Sequence, residues 1–297
     1  MDVRLSSKAD ALFPGLLAEP APRAGIELVW LGQAGFLVRS AHASLVIDPY
    51  LSDSLAVKYR GREFAHERLV PVPVEPTELT GVHAVLATHA HTDHLDPGTL
   101  PGLAIANPEA TFVVPRAHHA LAAERGAPAA RTVAINTGES FDTGEAGQAG
   151  GAGASPAATL RITAVPAAHE ARELDADGND RFLGYVIELA GVTLYHSGDC
   201  VPFAGLRESL AAHAVDIALL PVNGRDEPRA SRGVPGNFTP AEAWELARAI
   251  GARYLVAHHW GMFAFNTADP AAVERVFDEP SRAGARGDGL LTLLPEL

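Results

Sequence analysis

The sequence is poor in cysteine and in basic residues. A single cysteine, Cys200, excludes a disulfide within the chain. Lys and Arg number 23 against 36 Asp and Glu, which gives a formal net charge of −13. A surface this acidic repels nucleic acids and anionic membranes, because both bind proteins through basic patches. We therefore expect neither nucleic acid nor a membrane as a partner.

Long apolar runs are also absent. No stretch approaches the roughly 18 apolar residues that suggest a membrane helix, and the first residues lack the apolar centre of a signal peptide. These features predict a cytoplasmic protein. Apolar residues nevertheless make up 47% of the 297 residues, which suits a globular protein with a sizeable core. We expect an Ala- and Pro-rich lead-in segment over residues 1–25 and a single domain over residues 26–297.

Apolar periodicity predicts many short strands with helices between them. Strands are expected at 26–31, 36–39, 45–47, 82–87, 111–114, 131–135, 159–165, 182–189, 192–196, 215–220, 253–257 and 289–293. Thr239-Pro240-Ala241-Glu242 is a capping box and predicts a helix that ends before Gly251; weaker helices are expected at 116–125, 203–213 and 270–278. Residues 50–80 predict an irregular excursion, and AGQAGGAGAS predicts a flexible hairpin tip. This pattern indicates an α/β (α+β) domain of four layers, with two sheets between outer helices.

The most unusual segment is THAHTDHLD at residues 88–96, which directly follows an apolar run. In an extended backbone, residues two apart share a face, so His89 and His91 can address one point. If the chain then turns into a helix, Asp93 and His94 lie in its first turn and can address a second point nearby. Imidazole and carboxylate suit zinc, manganese or iron and require no thiolate. The segment therefore predicts half of a two-metal site.

Candidates for the missing ligands follow apolar runs farther along the chain. His169 lies in AVPAAHE, Asp199 lies in YHSGD, and the doublet His258-His259 follows the run that ends at Ala257. Taken alone, His169 suits a solvated loop and Asp199 a turn as well as they suit a metal. Their recurrence after strand ends favours ligands, because one rim of the sheets could gather all of them.

The order of these motifs resembles the metallo-β-lactamase superfamily. H-x-H-x-D-H, a lone His, S-G-D and a terminal His follow one another, from the GQAGF and DPYL segments to HHWGMF. The resemblance implies an αββα sandwich. More narrowly, LLPVNGRD, GNFTPAEA and AHHWGMFAFN resemble the branch that contains L-ascorbate-6-phosphate lactonase. They resemble more distantly the phospholipase D that hydrolyses N-acyl-phosphatidylethanolamines.

Carried over by position, the resemblance implies a ligand set for two divalent ions, Zn²⁺ or Mn²⁺, with Fe²⁺ as a further option. It assigns His89, His91 and His169 to one ion, Asp93, His94 and His259 to the other, and Asp199 to both. Alignment of HHWGMF with the family's H-Y-D-x-F ending selects His259, which leaves His258 behind the ligands. Ala257 and Cys200 depart from the family, which often has Pro and Thr there. Cys200 is either a thiol close to the metals or a small packed side chain.

The resemblance further implies a hydrolase in which a hydroxide that bridges the metals attacks the substrate. Asp93 is the expected catalytic side chain, since it could bind its metal and also accept a hydrogen bond from the attacking water. The leading hypothesis is cleavage of a lactone or ester in a small, anionic substrate. Phosphodiester cleavage, as in a phospholipase D, is one alternative, and a non-catalytic protein that is stabilised by metal is another. The subunit number stays open.

A loop rich in arginine suggests how an anion would be selected. Asn223 and Arg225 begin the loop after a predicted strand, and two more arginines follow at 229 and 232. Guanidinium groups bind phosphate or carboxylate in a bidentate manner. We therefore expect Asn223 and Arg225 to bind the substrate. The alternative is that Asp226 and Glu227 neutralise these arginines on a solvated loop.

Overall fold

The computed structural model describes residues 3–6, 20–143, 160–282 and 290–293. The hairpin tip predicted at AGQAGGAGAS lies outside the described residues. The described strands are β1 Val3–Ser6, β2 Ile26–Gly32, β3 Gly35–Arg39, β4 Ser44–Ile47, β5 Ala84–Leu86, β6 Thr111–Pro115, β7 Thr132–Ile135, β8 Ser140–Asp142, β9 Arg161–Pro166, β10 Leu183–Leu189, β11 Val192–His196, β12 Ile217–Pro221, β13 Tyr254–His258 and β14 Leu291–Leu293. Each predicted strand has a counterpart, whereas β1 and β8 were not predicted. β1 belongs to the expected lead-in segment, yet it pairs in parallel with β2.

The described helices are α1 Ser54–Lys58, α2 Leu100–Ala106, α3 His119–Glu124, α4 Leu206–Leu210, α5 Glu227–Ala230, α6 Pro240–Ala249 and α7 Pro270–Arg282. The capping box is present at the start of α6, where Thr239 and Glu242 exchange hydrogen bonds with each other's backbone N–H. The sequence did not predict α1, α2 and α5. Pro101 and Gly102 lie in the first turn of α2 and Pro228 lies in that of α5, which obscures a helical pattern, and α1 lies in the segment that was predicted to be irregular.

The strands form two seven-stranded sheets within the described part of the chain. The first runs in the order β1-β2-β3-β4-β5-β6-β7 and the second in the order β14-β13-β12-β11-β10-β9-β8. In the first sheet, β4 to β7 pair in parallel. In the second sheet, β11 to β14 do so. Parallel neighbours place their carboxyl ends at the same edge, where ligand sites of open sheets usually lie.

Alternate residues of the strands separate the layers. In β2, Leu28 and Trp30 belong to the large core cluster shared with strands of the second sheet. Val29 and Leu31 face the other way and pack with residues of α2 and α3, such as Leu103. Ala243, Ala247, Val273 and Phe277 of α6 and α7 pack on the second sheet. The architecture is therefore the four-layer αββα sandwich, and this prediction from the sequence is confirmed.

Candidate metal centre

The predicted ligands meet at the carboxyl ends of four strands. His89 follows β5, His169 follows β9, Asp199 follows β11 and His259 follows β13. His89 and Asp199 are nearly inaccessible to solvent. The backbone must turn sharply there, and His259 adopts a positive φ of 61°. Such conformations cost free energy and are concentrated at functional sites.

Asp199 lies at the middle of this convergence, and its two oxygens face different histidines. Oδ2 lies 3.5 Å from Nε2 of His169 and 3.9 Å from Nε2 of His89. Oδ1 lies 3.1 Å from Nε2 of His259 and 3.3 Å from Nε2 of His94. One carboxylate therefore contacts two separate groups of imidazoles.

The structure brings all seven predicted ligand positions together. Their ligand-type atoms form three overlapping groups, and within each group these atoms lie within 4.8 Å of one another. The groups are His89, His94 and Asp199; His91, His169 and Asp199; and Asp93, His94 and His259. We refer to these seven residues as the ligand cluster.

Two residues that sequence reasoning overlooked orient the imidazoles of the cluster. Nδ1 of His94 donates to Oδ2 of Asp48 at 2.7 Å. The Thr88 hydroxyl also donates to this oxygen at 2.7 Å, so it must accept the hydrogen bond it shares with Nδ1 of His89 at 3.0 Å. Both rings thus direct Nε2 into the cluster, which is the usual way in which outer residues fix a metal-binding histidine. Asp48 directly follows β4, and the rule that found the other ligands could have found it.

Gln33 is a third residue that was overlooked. Its Nε2 donates to Oδ2 of Asp93 at 2.8 Å and lies 3.2 Å from Nε2 of His259. The backbones of the two residues are also linked, because the Gln33 carbonyl accepts from the backbone N–H of His259 at 2.9 Å. Gln33 lies in the GQAGF segment and has a positive φ of 53°.

His258 lies outside the ligand cluster. Its ring stacks on His196 with centroids 4.8 Å apart, and Phe36 packs edge-on against both rings. Burial lowers the pKa of His258 well below 6.5, with His196 adding to the effect. The structure thus places His259, rather than its neighbour, in a group of side chains that could hold a metal ion. Cys200 is a packed core thiol, and burial raises its pKa to about 12.

The electrostatics of the ligand cluster suit a bound cation. Burial lowers the pKa of His169 to about 4 and that of His89 well below 6.5, so both are neutral imidazoles with a free lone pair near neutral pH. Burial alone would raise the pKa of Asp199, but His259 and His94 bring it well below its usual range. Burial likewise opposes charge on His94, yet Asp199 and Asp48 raise its pKa well above 6.5. The carboxylates therefore stabilise positive charge at the centre of the cluster.

The donor set fits divalent metal ions. Nε2 of His89 and Nε2 of His94 are buried and have no hydrogen-bond partner, a costly arrangement unless another group satisfies them. Both atoms face the Asp199 carboxylate. A mixture of imidazole and carboxylate donors is typical of zinc, manganese and iron sites.

A pocket of about 550 Å³ opens above the ligand cluster. Three segments form its walls: the irregular segment after β4, the turn after α5 and the segment after β13. The lining residues outside the cluster include Leu55, Lys58, Tyr59, Arg62, Glu63, Phe64, His66, Arg232, Phe263, Phe265 and Asn266. Three of these side chains are cationic, and one of the three, Arg232, pairs with Glu63 of the same lining at 3.1 Å.

Neither predicted substrate-binding residue lines this pocket. Both guanidinium nitrogens Nη1 and Nη2 of Arg225 donate to the Glu242 carboxylate at 2.6 Å. Asn223 is buried, and its amide nitrogen donates to Oδ1 of Asn266 at 2.8 Å. Asn266, which was not predicted from the sequence, lies between Asn223 and the pocket.

Comparison with known proteins identifies relatives that match most of the chain. The model of the Beta-lactamase superfamily domain matches residues 44–260, well over half of the chain. A UPF0173 metal-dependent hydrolase of Myxococcus xanthus strain DK1622 is 28% identical over 257 residues, which cover 85% of this chain and 77% of that protein. The probable L-ascorbate-6-phosphate lactonase UlaG of Escherichia coli strain SMS-3-5 is 25% identical over 213 residues. That match covers 71% of this chain but only 58% of the lactonase.

A solved structure shares the architecture. Igni18, a novel metallo hydrolase from the archaeon Ignicoccus hospitalis, superposes with a TM-score of 0.60 at 19% sequence identity. The superposition covers 92% of this chain and 96% of that chain. At this level of identity the likeness shows the fold alone. No helix among the described residues has the length and apolar character needed to cross a membrane.

Proposed function

The chain belongs to the β-lactamase superfamily of metal-dependent hydrolases, and on this basis we propose that it uses two divalent ions to hydrolyse a small anionic lactone or ester. The observation that carries the proposal is the position of Asp199. Its Oδ2 faces one pair of histidines and its Oδ1 faces another, so a single carboxylate can serve two neighbouring ions.

The seven side chains of the ligand cluster divide into two sets in this proposal. His89, His91 and His169 would hold one ion, Asp93, His94 and His259 would hold the second, and Asp199 would be shared. Divalent ions at such a site make hydroxide available from water near neutral pH and polarise the oxygen of the scissile bond. The ligand chemistry suits Zn²⁺ or Mn²⁺, with Fe²⁺ as a further option.

Asp93 is the residue proposed to accept a hydrogen bond from the attacking water. Burial acts to raise the pKa of Asp93, but His94 and other neighbours hold it below its usual range, so the side chain is a carboxylate near neutral pH. Nε2 of Gln33 donates to Oδ2 of this carboxylate at 2.8 Å and helps to orient it. Oδ1 is then the oxygen that would accept the hydrogen bond from the attacking water, since Asp93 lines the pocket.

Preference for an anionic substrate is supported by the rim of the pocket. Lys58, Arg62 and Arg232 line it, although the protein as a whole carries a net charge of −13. Nη1 of Arg232 donates to Glu63 at 3.1 Å, so Lys58 and Arg62 are the stronger candidates to meet an anion. Lys58 is held beside the cluster by a hydrogen bond of 3.3 Å to the Thr92 hydroxyl. The similarity to a protein named as a probable L-ascorbate-6-phosphate lactonase favours a lactone that carries such an anionic group.

Metal analysis together with a substrate panel tests this function. Purified protein should contain about two divalent ions per chain and should hydrolyse a member of a panel of lactones, esters and phosphorylated sugar lactones. His89→Ala should lose both metal and activity. His42→Ala replaces an exposed histidine outside the ligand cluster and should retain both. Absence of stoichiometric metal, or full activity of His89→Ala, would overturn the proposal.

The same panel separates the alternatives. Turnover confined to phosphodiesters would indicate a phosphodiesterase or phospholipase D-like hydrolase. Strong thermal stabilisation by metal without turnover of any lactone, ester or phosphodiester would indicate a non-catalytic binding protein.

A further inference from the structure

Three asparagines from distant parts of the chain form one line of hydrogen bonds. Asn237 donates through Nδ2 to Oδ1 of Asn223 at 3.1 Å. Asn223 in turn donates through Nδ2 to Oδ1 of Asn266 at 2.8 Å. The three belong to the motifs GNFTPAEA, LLPVNGRD and AHHWGMFAFN. These motifs are therefore linked in space by their amides.

The direction of this amide chain is fixed by an arginine. Nη1 of Arg229 lies 3.0 Å from Oδ1 of Asn266. A guanidinium can only donate, so the Asn266 atom that it contacts must be the carbonyl oxygen. That oxygen then receives Nδ2 of Asn223, and Oδ1 of Asn223 is left to receive Asn237. All three amides consequently point the same way.

The surroundings hold the amide chain in place. Arg229 is fixed by the Asp226 carboxylate at 2.6 Å and by the Asn223 carbonyl at 3.0 Å. Arg225 donates to the Asn237 carbonyl at 3.1 Å while it pairs with Glu242. Asn223 and Asn237 are buried. A network with this many fixed partners presents its last member in one orientation.

Asn266 is the last residue of this line of hydrogen bonds, and its amide nitrogen is the terminal donor. Asn266 is half-buried and lines the pocket above the ligand cluster. Its oxygen is held by two donors, and no acceptor for Nδ2 is found among the described residues. We propose that the Asn266 amide binds an anionic oxygen of the substrate. It would act as a fixed hydrogen-bond donor on the pocket wall, whereas the Asp93 carboxylate of the same pocket is an acceptor. This inference rests on the proposed function, because it names a group that would hold that substrate.

The remainder of the pocket indicates what accompanies this oxygen. Tyr59 stacks on His66 with centroids 4.2 Å apart, and Phe64 stacks on Phe265 with centroids 4.6 Å apart. These four rings line the same pocket as Asn266. Aromatic rings bind flat apolar groups by stacking. A planar body that carries an anionic oxygen therefore matches the pocket, and phenylphosphonate is a non-hydrolysable probe with both features.

The test compares two variants that add the same charge. Asn266→Asp keeps the side-chain size and an acceptor for Asn223 and Arg229, but it replaces the N–H donors with an oxygen. Ala264→Asp places the same charge on an exposed residue that does not line the pocket. Calorimetry with metal-loaded protein measures the affinity for phenylphosphonate, and thermal unfolding measures whether the fold is retained.

We expect Asn266→Asp to unfold at or above the temperature of the unaltered protein and to bind phenylphosphonate about ten- to a hundredfold more weakly, as for a lost hydrogen bond to a charged group. Ala264→Asp should change the affinity by less than about threefold. The inference is overturned if the unaltered protein does not bind phenylphosphonate, if Asn266→Asp binds it normally, or if Ala264→Asp weakens it equally. Binding requires no turnover, so the result is independent of the substrate panel.

Discussion

Nδ1 of His94 donates a hydrogen bond of 2.7 Å to Oδ2 of Asp48, and both side chains are completely buried. The carboxylate therefore decides which nitrogen of the imidazole faces the ligand cluster. It also receives the Thr88 hydroxyl, which accepts from Nδ1 of His89, so one buried carboxylate orients the candidate ligands His94 and His89 together. Asp48 does not line the pocket, so we expect it to act by positioning the candidate ligands.

Asp48→Asn should weaken metal binding by about ten- to a hundredfold, as for other groups that orient metal-binding histidines. An amide keeps the size of the side chain, but it offers one acceptor oxygen in place of two and removes the negative charge. Titration against a coloured chelator measures the affinity. Asp175→Asn is the control, because Asp175 accepts hydrogen bonds within an exposed turn. Equal affinities of both variants would show that Asp48 does not orient the ligands.

Much of the ligand cluster could be predicted from the sequence, because its members follow short strands that are mostly buried. His89 lies three residues after the end of the short apolar strand β5, and His259 directly follows β13. β5 belongs to the first sheet and β13 to the second, and parallel neighbours within each sheet bring such residues to its carboxyl edge. The position of each ligand thus depends on local patterns that a single sequence displays.

The pocket depends instead on pairings that a single sequence does not display. The sequence suggests Arg225 as a ligand for an anion, but in the structure both of its terminal nitrogens, Nη1 and Nη2, donate to Glu242, a residue of the α6 capping box. Asn266 carries no local pattern, and its importance arises from Asn223 and Arg229, which are far from it in sequence. Helix α1 is too short for a periodic signal, yet it brings Lys58 to the pocket.

Two arginine substitutions test which guanidinium meets the substrate. Arg62 lines the pocket, whereas Arg225 pairs with Glu242 outside it. Arg62→Gln should raise KM for an anionic substrate severalfold and leave stability unchanged. Arg225→Gln should change KM much less than Arg62→Gln does, because Arg225 reaches the pocket only indirectly, through the Asn237 carbonyl. It should lower the free energy of unfolding by about 1 kcal/mol or less, because its pair with Glu242 is partly exposed. Steady-state kinetics and urea unfolding measure both effects, and a raised KM for Arg225→Gln alone would reverse the assignment.

Stability should fall in mild acid, and His196 should contribute to that loss. Nε2 of this buried ring donates to the Ala34 carbonyl at 2.9 Å, and Nδ1 accepts from the backbone N–H of Gly198 at 3.0 Å. Both nitrogens are thus used by the neutral form, and burial lowers the pKa below its ordinary value of 6.5. The unfolded chain binds the proton first, so the stabilisation is complete above pH 6.5 and is lost as the pH falls towards the lowered pKa.

His196→Gln is the variant that isolates this contribution. Glutamine keeps an N–H for the Ala34 carbonyl but does not titrate. Urea unfolding in the presence of a chelator, from about pH 7 to about pH 5, should show a smaller loss of stability for the variant than for the unaltered protein. The chelator removes the separate pH dependence of metal binding. Parallel losses in the two proteins would mean that His196 takes no part.

Gly198 and Gly191 provide a matched pair for the turn that carries Asp199. Both have positive φ, 62° and 75° respectively, so alanine is strained at either position. A Cβ on Gly198 would lie 2.7 Å from Cβ and Oγ1 of Thr88, whereas a Cβ on Gly191 would meet nothing within 4 Å. The difference between the two variants therefore measures the close approach of the Asp199 turn to Thr88.

Gly191→Ala should lower the free energy of unfolding by about 1–2 kcal/mol through backbone strain. Gly198→Ala should lower it by about 2–5 kcal/mol, because forced repacking adds to the same strain. It should also weaken metal binding, since Thr88 must move and its hydroxyl connects Asp48 with His89. Urea unfolding and chelator titration measure these effects. If both variants lost equal stability and kept normal metal affinity, the contact between the two loops would have no part in building the site.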